Sequence, residues 1–195
     1  MPRLSRVESQ ALTRIRLLEA AQDLFRREGY ATTSVDRIAE AAGYSKGAFY
    51  SNFEGKEAIF LAVLDAQSHE SLDPLMQAID TAGDAAAVIE LLVRWADERS
   101  SSGSWSLTVL EHARAAIKGA ASLQRQEAII RGNWRQLGEC LLKRLPGLGD
   151  EPETLGALLN EIAYAPAMTF VSRPTAGDLM RLAVTHLFEA CAAKP

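Results

Sequence analysis

Two glycines, Gly29 and Gly43, constrain this chain most, because each closes a run of helical periodicity and a new run begins a few residues later. From Ala11 to Glu28, Ile15, Leu18, Ala21, Leu24 and Phe25 recur at helical spacing, with Arg14, Arg16, Arg26 and Arg27 off that stripe. Gly29 is a natural stop, since glycine accepts the left-handed backbone that ends a helix. Thr33-Ser34-Val35-Asp36 then has capping-box spacing, a hydroxyl at the helix start and a carboxylate three residues on. It opens a second helix whose Val35, Ile38, Ala39 and Ala42 form one apolar stripe ending at Gly43, after which Ser45 caps a third. Three helices in succession, the last two parted by a glycine turn, give the layout of a helix-turn-helix unit.

The third helix has two unlike faces. At about 100° per residue, Lys46, Gly47, Tyr50 and Ser51 share one arc, while Ala48, Phe49 and Asn52 fall opposite. A helix packed through Phe49 presents Lys46 and Tyr50 outward, with Gly47 between them to let the backbone approach a ligand closely. DNA phosphates and base edges suit that surface. Before it, Met1 to Gln10 carries Arg3 and Arg6 without apolar periodicity and reads as a mobile arm.

Charge is distributed accordingly. The whole chain carries −4, yet up to Lys56 nine basic residues face seven acidic ones, so the acidic excess belongs to the remainder. A mildly basic head on an acidic body suits a molecule that meets DNA through one end. No apolar run approaches the ~18 residues of a membrane span, and the amino terminus lacks an apolar signal core, so a cytoplasmic protein without a membrane partner is expected. Cys140 and Cys191 stand far apart without a CxxC or histidine-rich setting, so neither a disulfide framework, a metal site nor any cofactor is suggested.

Leu17-Leu18-Glu19-Ala20-Ala21 with Leu24-Phe25 and Gly29-Tyr30, then Thr32 to Ala39, then Gly43 to Tyr50 with Phe53 and Lys56-Glu57, resembles the amino-terminal DNA-binding domain of the TetR family of transcriptional regulators. The resemblance implies a role for each matching position. Thr33 would cap the first helix of the pair and touch a phosphate through its hydroxyl or backbone N–H. Ser45, Lys46 and Gly47 would open the recognition helix and meet phosphates or base edges, and Tyr50 would contact backbone or a thymine methyl. Lys56 would hold a phosphate at the start of the following helix. Asn52 stands where many relatives carry histidine; it can donate to a phosphate but supplies no charge, and its place beside Phe49 also allows a packing role.

Beyond Lys56 the periodicity stays helical, and no strand pattern or internal repeat occurs. Ile59, Phe60, Val63 and Leu64 continue one helix, with Pro74 expected to kink or break it. Asp84 can cap the next, with Val88, Leu91, Leu92 and Trp95; Ser100 to Ser104 interrupts it. Further stripes follow from Trp105, from Ser122 to Leu145, from Pro152 to Ser172 with Pro166 as a kink, and from Ala176 to Ala192. The last stripe, Leu179, Leu182, Ala183, His186, Leu187 and Ala190, suits either an intramolecular core or the four-helix subunit bundle that the family resemblance implies. The expected fold is all-α: an arm and helix-turn-helix domain over 1–55, joined to a larger helical ligand-sensing and dimerisation domain over 56–195.

The resemblance implies a DNA-binding regulator, by default a repressor, that reads a palindromic double-stranded operator as a homodimer and is released by a small-molecule effector. Trp95, Trp105, Trp134, Tyr164 and Met168 are candidates to line an effector cavity, with His112, half-exposed beside Glu111, available to hydrogen-bond it; each also fits plain core packing. An enzyme is the main alternative, with a helical binding module that lacks a DNA role as another. No phosphate loop, nucleophile elbow or metal spacing supports catalysis, and His69, His112 and His186 are widely separated, so no enzymatic activity is expected.

Overall fold

The computed structural model describes residues 5–101, 103–116, 120–149, 151–169 and 171–192. Among these, every regular element is helical: α1 (Arg6–Thr32), α2 (Val35–Ala41), α3 (Lys46–Tyr50), α4 (Lys56–Thr81), α5 (Ala85–Ser101), α6 (Gly103–Ala116), α7 (Ala120–Arg144), a 3-10 turn (Pro146–Leu148), α8 (Pro152–Thr169) and α9 (Ala176–Ala192). None of the helices is long and apolar enough to cross a membrane.

Helix α1 starts earlier than the sequence suggests. The Ser5 hydroxyl accepts from Glu8 N at 3.2 Å, and the Glu8 carboxylate accepts from Ser5 N at 2.8 Å. This reciprocal capping box satisfies two orphan donors and starts the helix at Arg6, so 6–10 are helix rather than mobile arm. Arg3 lies outside the described residues. The buried stripe of α1 is also turned from the expected one: Leu17, Ala21, Leu24 and Phe25 face inward, whereas Ile15 is exposed. Gly29 interrupts the helix at φ 81, ψ 172, and one more turn, Tyr30 to Thr32, follows it.

Two compact units form. The first runs to Gln67 and adds Leu107–Gln126; the second comprises Ser68–Ser106 and the chain from Glu127. This division differs from a boundary at 55/56, because the first turns of α4 and most of α6 pack with α1. Phe60 stands edge-on to Phe25 at 5.5 Å and to Tyr30 at 5.0 Å, and Thr108 donates its hydroxyl proton to Phe25 O at 3.0 Å.

The second unit has its own core. Leu75 and Ile79 of α4, Leu92 and Trp95 of α5, Leu137 and Leu141 of α7, Leu159 of α8 and Met180 of α9 are buried together. The Asp84 carboxylate caps α5 by accepting from Ala87 N at 2.8 Å. Neither Pro74 nor Pro166 ends its helix; α4 and α8 run through them. Burial of Leu72, Leu75 and Ile79 around Pro74 holds the helical path despite the missing N–H. Helices α7 and α8 approach backbone to backbone. A Cβ on Gly138 would lie 1.8 Å from Pro152 O, and one on Gly156 would lie 1.8 Å from Trp134 O.

Helix α9 buries Ala176, Met180 and Val184, so its core face is not the stripe read from the sequence. Leu182 and His186 of that stripe are exposed, while Leu179, Ala183 and Leu187 are half-buried. Ala190 lies where side-chain burial is not described.

Candidate nucleic-acid interface

Capping sets the geometry of the helix pair. The backbone of Ser34 is extended and its hydroxyl accepts from Arg37 N at 3.2 Å, so Ser34, not Thr33, caps α2. Thr33 is turned the other way: its side chain is buried, at 1% exposure, and its hydroxyl donates to Gly29 O at 2.7 Å. That hydroxyl closes the end of α1 and is not offered to a phosphate in this conformation. At φ 75, Gly43 turns the chain, and Tyr44 N reaches back to Ala39 O at 2.8 Å, which satisfies a carbonyl at the end of α2. Ser45 then caps α3, accepting from Ala48 N at 3.2 Å.

The two faces of α3 are those its periodicity dictates. Phe49 is fully buried and packs against the Phe53 ring at 5.8 Å. Lys46, Gly47, Tyr50 and Ser51 are exposed, Tyr50 at 51%. No side chain separates the Gly47 backbone from solvent, and only Ser45 Oγ would come within 4 Å of a Cβ placed there. Lys46 does not stand alone: its ammonium lies 2.8 Å from the Asp36 carboxylate at the start of α2, and this hydrogen bond raises the Lys46 pKa.

Asn52 and Lys56 are engaged within the protein. The Asn52 amide donates to Ala48 O at 2.8 Å, and its backbone carbonyl accepts from the Arg14 guanidinium at 2.8 Å. Arg14 also lies over the Phe53 ring at 4.2 Å, so it braces the end of α3 from α1. The sequence placed Arg14 off the apolar stripe without showing its target, because a contact spanning 38 residues leaves no local signal. The Lys56 ammonium donates to Tyr30 O at 2.8 Å and sits 4.3 Å from the centre of the Tyr30 ring. Partial burial lowers its pKa. Here Lys56 closes the last turn of α1, as a cation near a helix C-terminus does.

The family described as "Bacterial regulatory proteins, tetR family" matches residues 17–63, which hold the α2–α3 pair and the start of α4. Residues 17–63 are those of a TetR-family DNA-binding domain. It is similar to the HTH-type transcriptional regulator TtgR of Pseudomonas putida, 38% identical over 81 residues, which is 42% of this chain and 38% of that relative. Similarity to the HTH-type transcriptional repressor AcnR of Corynebacterium diphtheriae is lower, 26% over 187 residues, but covers 94% of this chain and 87% of that protein. Among solved structures, the transcriptional regulator FadR from Bacillus subtilis in complex with stearoyl-CoA has a TM-score of 0.64 at 17% identity, covering 92% of this chain and 97% of that one. This likeness is one of fold.

The residues expected to line an effector cavity are each engaged within their own compact unit. His112 is buried, at 1% exposure, rather than half-exposed, and belongs to the same compact unit as α1–α3. Its ring stacks on Phe60 at 4.3 Å, Nδ1 bonds to the Gln126 side-chain carbonyl, and the Ser122 hydroxyl lies 3.3 Å from Nε2. A carbonyl can only accept, so Nδ1 carries the proton and Nε2 accepts from Ser122. Burial lowers the His112 pKa.

The other candidates lie in the second unit. Trp95 is part of its core and donates its indole proton to the Ser71 hydroxyl at 3.0 Å. Trp105 is buried and Met168 exposed. Trp134 is half-buried, and its indole nitrogen has no hydrogen-bond partner among the described residues. The Arg99 guanidinium lies 5.1 Å from the centre of the Tyr164 ring, and burial raises the Tyr164 pKa.

Proposed function

We propose that this chain is a cytoplasmic, ligand-responsive transcriptional regulator that binds a palindromic DNA operator as a homodimer, represses from it, and is released by a small-molecule effector. The outward face of α3 carries the reading: Lys46, Gly47 and Tyr50 exposed on a helix anchored by the fully buried Phe49. A short helix fixed from behind, with a cation, a phenol and bare backbone in front, is suited to a major groove. Ser45, Lys46, Gly47 and Tyr50 meet phosphates or base edges; Thr33 takes part through its backbone N–H, Asn52 through whatever its amide offers beyond Ala48, and Lys56 by exchanging Tyr30 O for a phosphate.

Residues 1–55 serve as the DNA-reading head and 56–195 as the sensor and subunit contact. Exposed Leu158 on α8 and Leu182 on α9 support dimerisation, because both helices already bury another face within the protomer. Two heads about 34–36 Å apart would then read successive major grooves. The name of AcnR supports repression, and the stearoyl-CoA held by FadR supports a small-molecule effector. In the second unit, the Trp134 indole N–H and the Arg99–Tyr164 pair are candidate polar groups to recognise one. Helix α4 transmits the signal, since it begins at Lys56 and continues into the second unit. An effector that prefers the conformation with displaced heads lowers operator affinity by its differential affinity for the two states.

Footprinting on the DNA around the protein's own gene, repeated with Lys46→Ala and Tyr50→Ala, tests the proposal. Protection of a palindrome that both substitutions abolish is expected; unchanged protection would exclude α3 as the reading element.

A further inference from the structure

We propose that Asp36 and Lys46 act as one unit that reads a single G·C base pair in each half-site. The inference rests on the DNA-binding function above and names a chemical determinant within it. Asp36 is the acidic residue of the α2 first turn, its side chain is largely exposed, and one carboxylate oxygen lies 2.8 Å from Lys46 Nζ. While this bond is kept, Lys46 and the Asp36 carboxylate are presented to DNA together. Beside phosphates a bare carboxylate is repelled, so its place on this face makes physical sense where it meets a hydrogen-bond donor.

In the major groove such a donor is the cytosine N4 amino group, which keeps one proton free after base pairing. Across the pair, cytosine N4 and guanine O6 are joined by a hydrogen bond of about 2.9 Å, nearly the separation of the Asp36 and Lys46 groups. The four atoms close into a square: N4 donates to Asp36, Lys46 donates to O6, and the two protein groups remain bonded to each other. Lys46 has three protons, and guanine N7 beside O6 accepts another. A T·A pair offers a similar donor and acceptor, but the thymine methyl crowds the ammonium where guanine presents N7. Lys46 alone would favour guanine; Asp36 makes the choice depend on the cytosine.

Selection from a randomised duplex library by the full-length wild-type protein and by Asp36→Ala is the first experiment. The wild type should enrich a G·C pair at one position of each half-site, and Asp36→Ala should lose about tenfold or more of the discrimination there while keeping the remaining consensus. A second experiment needs no variant to fold: N4-methylcytosine at that position should weaken wild-type binding, and Asp36→Ala should be indifferent to it. Retention by Asp36→Ala of every base preference, or loss of preference at an A·T position instead, would overturn the inference while leaving operator binding intact. If the wild type enriches no sequence, operator recognition itself fails and this inference with it.

Discussion

The Glu111 carboxylate occupies the space where a Gly29 side chain would project: a Cβ built on Gly29 would lie 2.6 Å from Glu111 Oε2. The same oxygen accepts from Ala31 N at 3.1 Å, so helix α6 closes the chain reversal at the end of α1. Gly29 combines φ 81 with ψ 172, a region that only glycine occupies freely. Gly29→Ala should therefore destabilise the protein by about 1–3 kcal/mol in urea unfolding. Adding Glu111→Ala should not restore the loss, because it relieves the contact but not the backbone strain and leaves Ala31 N without its acceptor. Full recovery in the double variant would locate the whole cost in the contact.

His112 gives the fold a defined acid sensitivity. Burial holds its pKa below the ordinary imidazole value of about 6.5, at which the unfolded chain titrates. Between the two values the unfolded chain binds the extra proton, so this contribution to stability is fully present above about pH 6.5 and declines as pH falls toward the native pKa. Thermal unfolding from about pH 7.5 to about pH 5.5 should show the decline, and His112→Asn should flatten it. An equal slope in both proteins would assign the sensitivity to other groups.

Lys56 separates a stability role from a DNA role. Lys56→Met keeps the aliphatic stem but removes the bond to Tyr30 O, and should cost about 1 kcal/mol of stability. If Lys56 exchanges that carbonyl for a phosphate in the complex, the salt dependence of operator binding should also fall by about one phosphate contact. Loss of stability with an unchanged salt slope would confine Lys56 to its intramolecular bond.

Leu182 tests subunit association without disturbing the protomer core. It is 60% exposed on α9, so Leu182→Glu should leave the thermal unfolding of the isolated protomer nearly unchanged. Sedimentation should show a shift from dimer to monomer, with weaker binding to a full palindrome. A dimer that persists in the variant would move the contact away from this face.

The α3 surface was legible because its information is local. Phe49 opposite Lys46 and Tyr50 settles the orientation within two turns, and Ser45 is the hydroxyl directly before them. At α2 the sequence offers two adjacent hydroxyls, and Asp36 three residues after Thr33 imitates a capping box, whereas the backbone geometry selects Ser34. The Ser5–Glu8 box was available in the sequence but lies where apolar periodicity does not point to a helix. Burial of His112 was not legible: its partners Phe60, Ser122 and Gln126 come from two other helices, and nothing in Glu111-His112 reveals them. On α9 the stripe was recognised but its direction was not, since a helix with apolar residues on two sides does not say which one meets its own core.

The contact between α7 and α8 limits how this chain can vary. At Gly138 and Gly156 the obstacle to a side chain is the opposing main chain rather than another side chain. No second substitution can trim a backbone carbonyl, so repair would require moving whole helices apart at the expense of the core between them. In a mutational library these two positions should accept nothing but glycine, whichever operator or effector the rest of the sequence is selected to recognise.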